Sequence, residues 1–250
     1  VHRSDILSLL MNTKRAVTVA GAHGKTTTSS MLAHILTHAG EGNLADPSYA
    51  IGGSIQGKDG MMLDGGHAGQ GDVLVAEADE SDGSFAKYHP EIAIVTNSEA
   101  DHLDHYGTQE NYRAAFVDHV QHAVKSVVMC GDDEGNLAVL RALDASAAAH
   151  TVVYATQDEA SLGDLNGAAF VHIESESESA QSGAEHFTLH VPAGLLDEQE
   201  RVIGAHVLGN PASEIITLAG TAIELGLTAA AWKKIVFPHP TVGEIFREAL

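Results

Sequence analysis

Cysteine is nearly absent from the chain: Cys130 is the only one among 250 residues. A single cysteine excludes an intrachain disulfide and any site built on paired cysteines, and such usage is typical of a reducing compartment. We therefore expect a cytoplasmic protein. Because Cys130 ends an apolar run, we expect it to be a small buried residue without thiolate chemistry.

Positive charge is also scarce. The sequence has 13 Lys and Arg residues against 34 Asp and Glu, and its formal net charge is −21. Such a surface repels nucleic-acid phosphates and anionic lipid headgroups, so we expect no nucleic-acid partner and no membrane partner. No apolar run reaches the ~20 residues of a membrane-spanning helix. With 44% hydrophobic residues, the chain can still bury a core over one or two domains.

The most informative segment is a glycine turn between a predicted strand and a predicted helix. Residues 16–20 form an apolar, β-branched run, and residues 31–36 follow a helical pattern. The turn between them leads into Lys-Thr, and this order of elements is how proteins cradle nucleoside triphosphates. The candidate nucleotide-binding residues are Gly21, Ala22, His23, Gly24, Lys25, Thr26 and Thr27.

Each residue type in this turn suits a phosphate chain. Glycines let backbone N–H groups approach phosphate oxygens, and the positive end of the helix dipole favours negative charge. Lys25 can reach the terminal phosphates, and the Thr26 hydroxyl can bind Mg²⁺. The strict P-loop pattern has a glycine where Val19 stands, so the alternative is an ordinary glycine turn.

Alternating strand and helix patterns predict the fold class. Apolar strand-like runs occur at 16–20, 72–76, 91–96, 126–130 and 150–154, and helical patterns occur at 109–123 and 134–143. This order predicts an α/β fold with a doubly wound, mostly parallel sheet. The carboxyl ends of the strands then bring Gly21, Glu77 and Asn97 to one edge of the sheet.

The pattern changes from about residue 168. Residues 169–173 and 186–191 alternate between apolar and polar types, which predicts a hairpin. The acidic, Ser-rich stretch at 174–183 between them is expected to be a solvated loop. A further helix is predicted over 211–225, so the C-terminal segment is expected to be rich in helix.

Two acidic clusters follow predicted strands. Residues 77–82 hold four carboxylates, and residues 97–105 form a second polar cluster that contains His102. Closely spaced carboxylates repel one another unless a cation neutralises them, and carboxylates together with phosphate oxygens suit Mg²⁺. An imidazole ligand would instead indicate Zn²⁺ or Mn²⁺. The alternative for each cluster alone is a solvated loop.

Three motifs occur in order along the chain: AGAHGKTTT at 20–28, AEADESD at 76–82 and TNSEADHLD at 96–104. Together they resemble the central ATP-binding domain of the Mur ligases, specifically of members that join L-alanine to UDP-N-acetylmuramate. The resemblance covers residues 1 to about 202. Residues 2–7 resemble the joint that follows the N-terminal UDP-binding domain in that family.

The resemblance assigns roles residue by residue. It implies that Lys25, Glu77 and His102 are catalytic and that Thr26, Glu77 and His102 surround Mg²⁺. It also implies that ATP is the nucleotide and that Asn97 contributes to its binding. UDP-N-acetylmuramate and L-alanine are the implied substrates, with a carboxylate activated as an acyl phosphate before the amine attacks.

The adenine-side motif of that family is only partly kept. His206 and Asn210 match the G-x-H-N-x-x-N element, but Val207 stands where the element has its first asparagine. The resemblance implies that His206 and Asn210 contact the bound nucleotide.

Beyond residue 202 the chain is similar to a different family. Segments 208–216 and 237–245 resemble the C-terminal interface domain of dihydrolipoamide dehydrogenase and related flavin disulfide oxidoreductases, in which HPTxxE supplies a pair that is His239 and Glu244 here. The resemblance implies a separate unit over 203–250 and a homodimer through it. Disulfide chemistry needs a cysteine pair and a GxGxxG fold, and this sequence has neither.

Two other functions remain open at this point. One is a nucleotide-binding module without turnover, and the other is a fragment of a flavin disulfide oxidoreductase.

Overall fold

The structure is a computed structural model that describes residues 2–57, 60–178 and 185–190. Its strands are β1 Arg15–Ala20, β2 Ser48–Ala50, β3 Ile55–Gln56, β4 Met62–Leu63, β5 Gly66–His67, β6 Val73–Glu77, β7 Ile92–Val95, β8 Ser126–Cys130, β9 Thr151–Ala155, β10 Ala169–Glu178 and β11 Glu185–His190. Its helices are α1 Arg3–Met11, α2 Lys25–Ala39, α3 Leu103–Tyr106, α4 Gln109–Gln121, α5 Glu134–Ala142, α6 Ala145–Ala149 and α7 Glu159–Leu162, with 3₁₀ turns at Gly42–Leu44 and Ser84–Lys87. Within these ranges no helix combines the length and the apolar character that crossing a bilayer requires.

In the part of the chain that the structure describes, nine strands form one sheet in the order β11-β10-β9-β8-β7-β1-β6-β2-β5. Neighbouring strands from β10 to β2 pair in parallel, whereas the edge strands β11 and β5 pair antiparallel with theirs. Helices connect most of the parallel strands, as such crossovers require. The predicted α/β fold with a doubly wound, mostly parallel sheet is confirmed.

Strand β1 lies at the centre of this sheet, between β6 and β7. The chain passes from one side of β1 to the other between β6 and β7. In open parallel sheets, the crevice beyond the carboxyl ends of the strands at such a reversal is where ligands bind. The topology therefore places the three segments that follow β1, β6 and β7 side by side.

The side chains of β1 alternate between two hydrophobic layers. Val17 and Val19 are fully buried in the layer that contains α2, with Leu32, Ile35 and Leu36 of that helix. Ala16 and Ala20 face the other layer, which holds Tyr112, Phe116 and Val120 of α4. Two covered faces explain why the parallel strands are continuous apolar runs in the sequence.

Cys130 ends strand β8 and is 6% exposed. Burial raises the pKa of its thiol to about 12, so the side chain stays protonated at neutral pH. The prediction of a small buried residue is confirmed.

The hairpin predicted after residue 168 is also confirmed, because β10 and β11 pair antiparallel. The prediction of a solvated loop from residue 174 is wrong at its start, since β10 continues to Glu178. Pairing with β11 on its free edge satisfies the backbone of this stretch, which outweighs its acidic composition. The helix predicted over 211–225 and the unit predicted over 203–250 lie outside the described residues.

Candidate functional site

The glycine turn lies at the carboxyl end of β1, and helix α2 begins at Lys25 directly after it. Gly24 has φ 86°, a left-handed conformation that suits glycine. Gly21 has φ 146°, and a Cβ atom built there would lie 2.0 Å from the Thr96 hydroxyl oxygen. Close contact between the turn and the segment after β7 therefore requires glycine at position 21.

Asn97 and Thr96 hold the turn at His23. The Asn97 side chain accepts a hydrogen bond from the His23 N–H at 3.1 Å and donates to the His23 carbonyl at 2.9 Å. The Thr96 hydroxyl lies 2.6 Å from the same carbonyl. Asn97, which the sequence predicts as a nucleotide-binding residue, is thus placed to fix the backbone of the turn. Nucleotide contact by Asn97 itself stays a prediction.

Lys25 is bonded to its own turn and to a buried carboxylate. Its Nζ donates to the Gly21 carbonyl at 2.5 Å and lies 2.9 Å and 3.0 Å from the two carboxylate oxygens of Glu80. Glu80 is 0% exposed. Burial raises the pKa of Glu80, and the Lys25 ammonium opposes this shift by favouring the ionised form.

Thr26 and Glu77 meet beside the turn. The Thr26 hydroxyl donates to Glu77 Oε2 at 3.1 Å, while the Ser29 hydroxyl lies 3.2 Å from Glu77 Oε1 and the Gly52 N–H donates to that oxygen at 2.5 Å. A Cβ atom on Gly52 would lie 3.2 Å from Thr26 Oγ1 and 3.3 Å from both oxygens of Glu77. The absence of a side chain at Gly52 leaves space in front of a hydroxyl and a carboxylate.

His102 stands apart from this pair. It has φ 50° at the start of α3, and its Nε2 lies 3.7 Å from Glu80 Oε1 and 3.8 Å from Asp101 Oδ2. In the described part of the chain no hydrogen bond or ion pair joins His102 to Thr26 or Glu77. Glu80, which contacts both Lys25 and His102, links His102 to the glycine turn.

A cavity of about 890 Å³ opens beside these residues. Lys25, Glu77 and Gly52 line one side, and α1 lines another with Arg3 and apolar side chains. The cavity therefore combines the cationic groups of Arg3 and Lys25 and the carboxylates of Glu77 and Asp79 with an apolar wall. An apolar pocket with a few convergent polar groups is typical of a site for a small organic ligand.

The structure brings most of the predicted site residues together and adds three that the sequence did not single out. Gly21, Ala22, His23, Gly24, Lys25, Thr26, Thr27, Glu77 and Asn97 form one continuous region after β1, β6 and β7. Ser29, Gly52 and Glu80 are the additions. Glu80 lies within the acidic motif at 76–82, but the sequence does not show that Glu80 is the fully buried carboxylate of that motif. His206 and Asn210 lie outside the described residues.

Two family models match the chain. The Mur ligase middle domain matches residues 19–217, and the pyridine nucleotide-disulphide oxidoreductase dimerisation domain matches residues 193–250. The second match confirms that the tail resembles that family. The two matches overlap at 193–217, the stretch that contains the expected boundary near residue 202.

Curated relatives carry the same family relationship. The chain is 73% identical over 238 residues to a UDP-N-acetylmuramate–L-alanine ligase of Bifidobacterium adolescentis, an alignment that covers 92% of this chain and 46% of that protein. It is 61% identical over 231 residues to the enzyme of the same description from Bifidobacterium longum, with 92% and 42% covered. The chain thus spans about half the length of the curated relatives it matches.

Solved structures show the same fold. The UDP-N-acetylmuramate-alanine ligase of Thermotoga maritima superposes with a TM-score of 0.63 at 22% identity, over 98% of this chain and 47% of that one. A UDP-N-acetylmuramate:L-alanyl-gamma-D-glutamyl-meso-diaminopimelate ligase of Neisseria meningitides gives 0.63 at 20% identity, over 95% and 71%. With its middle-domain match over most of its length, the chain belongs to the Mur ligase family.

Proposed function

We propose that this chain forms the ATP-binding part of a ligase that joins L-alanine to UDP-N-acetylmuramate. One observation carries the proposal: at the carboxyl ends of the adjacent strands β1 and β6, Thr26 contacts Glu77 and the neighbouring Lys25 contacts Glu80, directly after the glycine turn. The description of the Bifidobacterium relatives supports the choice of substrates. The net charge of −21 argues against a nucleic-acid or membrane partner.

Mg²⁺ and ATP fit the residues that are present. A hydroxyl and a carboxylate in contact, with Gly52 leaving space before them, are donors that Mg²⁺ accepts. No group of three or more His, Cys, Asp or Glu side chains is arranged for a metal within the described ranges. Mg²⁺ usually takes few protein ligands and completes its coordination shell with phosphate oxygens and water.

In the proposed complex, Thr26 and Glu77 hold Mg²⁺, and Lys25 neutralises the terminal phosphates. Gly21, Ala22, His23, Gly24 and Thr27 would surround the phosphate chain, with Asn97 fixing the turn. His102 is proposed as a further Mg²⁺ residue because it stands in the motif at 96–104 that resembles the Mur ligases; its ring lies beside Glu80. His206 and Asn210 are proposed to contact the nucleotide on the adenine side.

The organisation of the chain is proposed from its two family matches. We propose a ligase-like unit over about residues 1–202 and a tail over 203–250 that forms a homodimer, as the name of its matching domain indicates. A cytoplasmic location is proposed, because the lone cysteine suits a reducing compartment. A homodimer would appear in sedimentation equilibrium as twice the chain mass of 26.1 kDa.

A nucleotide-binding module without turnover is the second candidate. It is favoured by the fact that the chain spans about half the length of its curated relatives. A fragment of a flavin disulfide oxidoreductase is disfavoured, because the sequence contains one cysteine.

Calorimetric titration with Mg-ATP tests the nucleotide site. We expect Lys25→Ala to weaken binding by ~1–3 kcal/mol, the scale of a charge-assisted hydrogen bond to phosphate. Lys87→Ala is the matched control, since Lys87 is exposed and pairs with Asp5 outside the site. Equal affinities for the wild-type chain and Lys25→Ala would refute the proposal.

A further inference from the structure

Glu80 is the most deeply buried carboxylate beside the phosphate turn, and none of the roles given above uses it. Its side chain is 0% exposed, whereas that of its partner Lys25 is 17% exposed. The Tyr106 hydroxyl donates a hydrogen bond to the backbone carbonyl of Glu80, so main chain and side chain are both held. A carboxylate whose backbone and side chain are both fixed can in turn fix the position of the ammonium group that it contacts.

Lys25 uses all its hydrogen-bonding capacity in this structure. An ammonium group has three N–H donors. Those of Lys25 face the Gly21 carbonyl at 2.5 Å, the Ala22 carbonyl at 3.4 Å and the Glu80 carboxylate at 3.0 Å. Phosphate oxygens can reach this ammonium only if at least one of these partners is given up.

The two kinds of partner differ in what their loss would cost. The carbonyls of Gly21 and Ala22 are neutral, and losing a hydrogen bond leaves a neutral acceptor. Loss of Lys25 would leave Glu80 a buried carboxylate without its ammonium partner, with the imidazole of His102 3.7 Å away. A buried charge without its partner is far more costly than an unmade neutral hydrogen bond.

From this geometry we infer that Glu80 is a positioning residue that keeps the Lys25 ammonium anchored while nucleotide binds. The inference rests on the proposed nucleotide site. When nucleotide binds, the Lys25–Glu80 ion pair stays intact. The other two N–H donors of Lys25 leave the carbonyls of Gly21 and Ala22 and bind phosphate oxygens instead. The physical gain is pre-organisation, because a lysine side chain is otherwise free to adopt many rotamers. Protein kinases hold their phosphate-binding lysine with a glutamate in a similar way.

The test shortens Glu80 without changing its charge. Glu80→Asp keeps the electrostatic field at the phosphates but draws the anchor back by one methylene, so we expect the Mg-ATP dissociation constant from calorimetry to rise about tenfold. In a Lys25→Ala background the same substitution should change affinity by less than about twofold. Glu91→Asp is the matched control, because Glu91 forms an ion pair with Arg15 at the amino-terminal ends of β7 and β1, the ends opposite to the glycine turn.

The outcomes separate this inference from the proposed function. If Lys25→Ala weakens Mg-ATP binding but Glu80→Asp does not, the inference alone is overturned. If Glu80→Asp weakens binding equally in both backgrounds, Glu80 supports only the fold of its loop. If Lys25→Ala has no effect, the nucleotide site itself is refuted, and the inference falls with it.

A second measurement needs no variant. In a crystal structure of the wild-type chain with Mg²⁺ and a non-hydrolysable ATP analogue, Lys25 Nζ should lie within hydrogen-bond distance of both Glu80 and a phosphate oxygen. Separation of Lys25 from Glu80 in that complex would overturn the inference.

Discussion

Gly21 shows how a single residue shapes the glycine turn after β1. A Cβ atom added to Gly21 would collide with its neighbours, because it would lie 2.0 Å from Thr96 Oγ1 and 3.0 Å from the Asn97 carbonyl oxygen. We therefore predict that Gly21→Ala lowers the free energy of unfolding by about 1–3 kcal/mol, the usual cost of overpacking, measured by urea denaturation. Gly66→Ala is the control, because no atom lies within 4 Å of its Cβ position. Equal losses in the two variants would contradict the prediction.

His119 is a buried histidine whose ring contacts Thr18 of β1 and Phe85 of the 3₁₀ turn at Ser84–Lys87. Its Nδ1 lies 3.0 Å from the Phe85 carbonyl, which can only accept, so this nitrogen carries the proton. Nε2 then accepts from the Thr18 hydroxyl at 3.1 Å. Burial lowers the pKa of His119 from 6.5 to about 4, so the ring is neutral in the folded protein at neutral pH.

This shift predicts a pH dependence of stability. Below about pH 6.5 the unfolded chain gains a proton at His119 that the folded chain does not, so stability falls as the pH decreases towards 4. The full loss from this residue is roughly 3 kcal/mol. Urea denaturation at several pH values should show a shallower decline for His119→Gln, while His150→Gln, at an exposed position, should follow the wild-type decline. Parallel curves for His119→Gln and the wild-type chain would rule this out.

At the scale of single residues, the sequence predicted the site residues that are adjacent in one motif or that directly end a strand. Lys25 and Thr26 are adjacent in one motif, and Glu77 directly ends a strand, so their proximity followed from the expected sheet. Ser29 and Gly52 contact Glu77 only because α2 and the loop after β2 pack there, and nothing in their local sequence indicates it. Glu80 and Asp79 are neighbouring carboxylates, yet only Glu80 is fully buried.

At the scale of elements, helix caps give a ranked prediction. Asp133 accepts from the Asn136 N–H at 2.7 Å at the start of α5 and also from the Ser98 N–H at 2.9 Å, after β7. Asp144 caps α6 through the Ala147 N–H at 2.9 Å, and among the described residues its side chain accepts no second bond of this kind. We expect Asp144→Ala to cost about 1 kcal/mol and Asp133→Ala about twice that, measured by thermal unfolding. Equal costs would mean that the bond to Ser98 contributes nothing.

The elements differed in how well their sequence predicted them. β8 was predicted at its observed bounds, because a buried parallel strand is a continuous apolar run with polar ends. Strands β2 and β5 have three and two residues, too few for any periodicity to show. The hairpin of β10 and β11 was predicted from its alternating stretches, but the extension of β10 to Glu178 was not, because an acidic, Ser-rich composition is typical of a solvated loop.

At the scale of the whole molecule, we predict that the 250-residue chain alone ligates L-alanine to UDP-N-acetylmuramate poorly. The chain spans about half of its curated relatives, and reacting groups misplaced by ~1 Å can already lose about a hundredfold in rate. A coupled assay of ADP release with both substrates measures this. Substantial turnover that depends on L-alanine would show that the chain is sufficient.

The tail gives a prediction at the same scale. His239 and Glu244 resemble an acid–base pair, but such a pair acts only on a group that exchanges a proton, and the dithiol it serves in the similar family has no counterpart beside buried Cys130. The double variant His239→Ala with Glu244→Ala should therefore keep the Mg-ATP affinity of the wild-type chain in calorimetry. A lower affinity with unchanged circular dichroism would place the tail at the nucleotide site.

The central position of β1 has a consequence for how the protein folds during synthesis. Residues 15–20 are made well before their partners at 73–77 and 92–95, so β1 has no neighbour in the sheet until β6 has left the ribosome and only one until β7 follows. Such non-local pairing is slow to form, and an apolar strand exposed in the meantime is prone to aggregate. The turn that follows β1 can form its hydrogen bonds with Thr96 and Asn97 only after β7 has paired with β1. Competence to bind phosphate would therefore arise only after the segment that follows β7 has been made, whereas strands β8 to β11 of the same sheet are made later still.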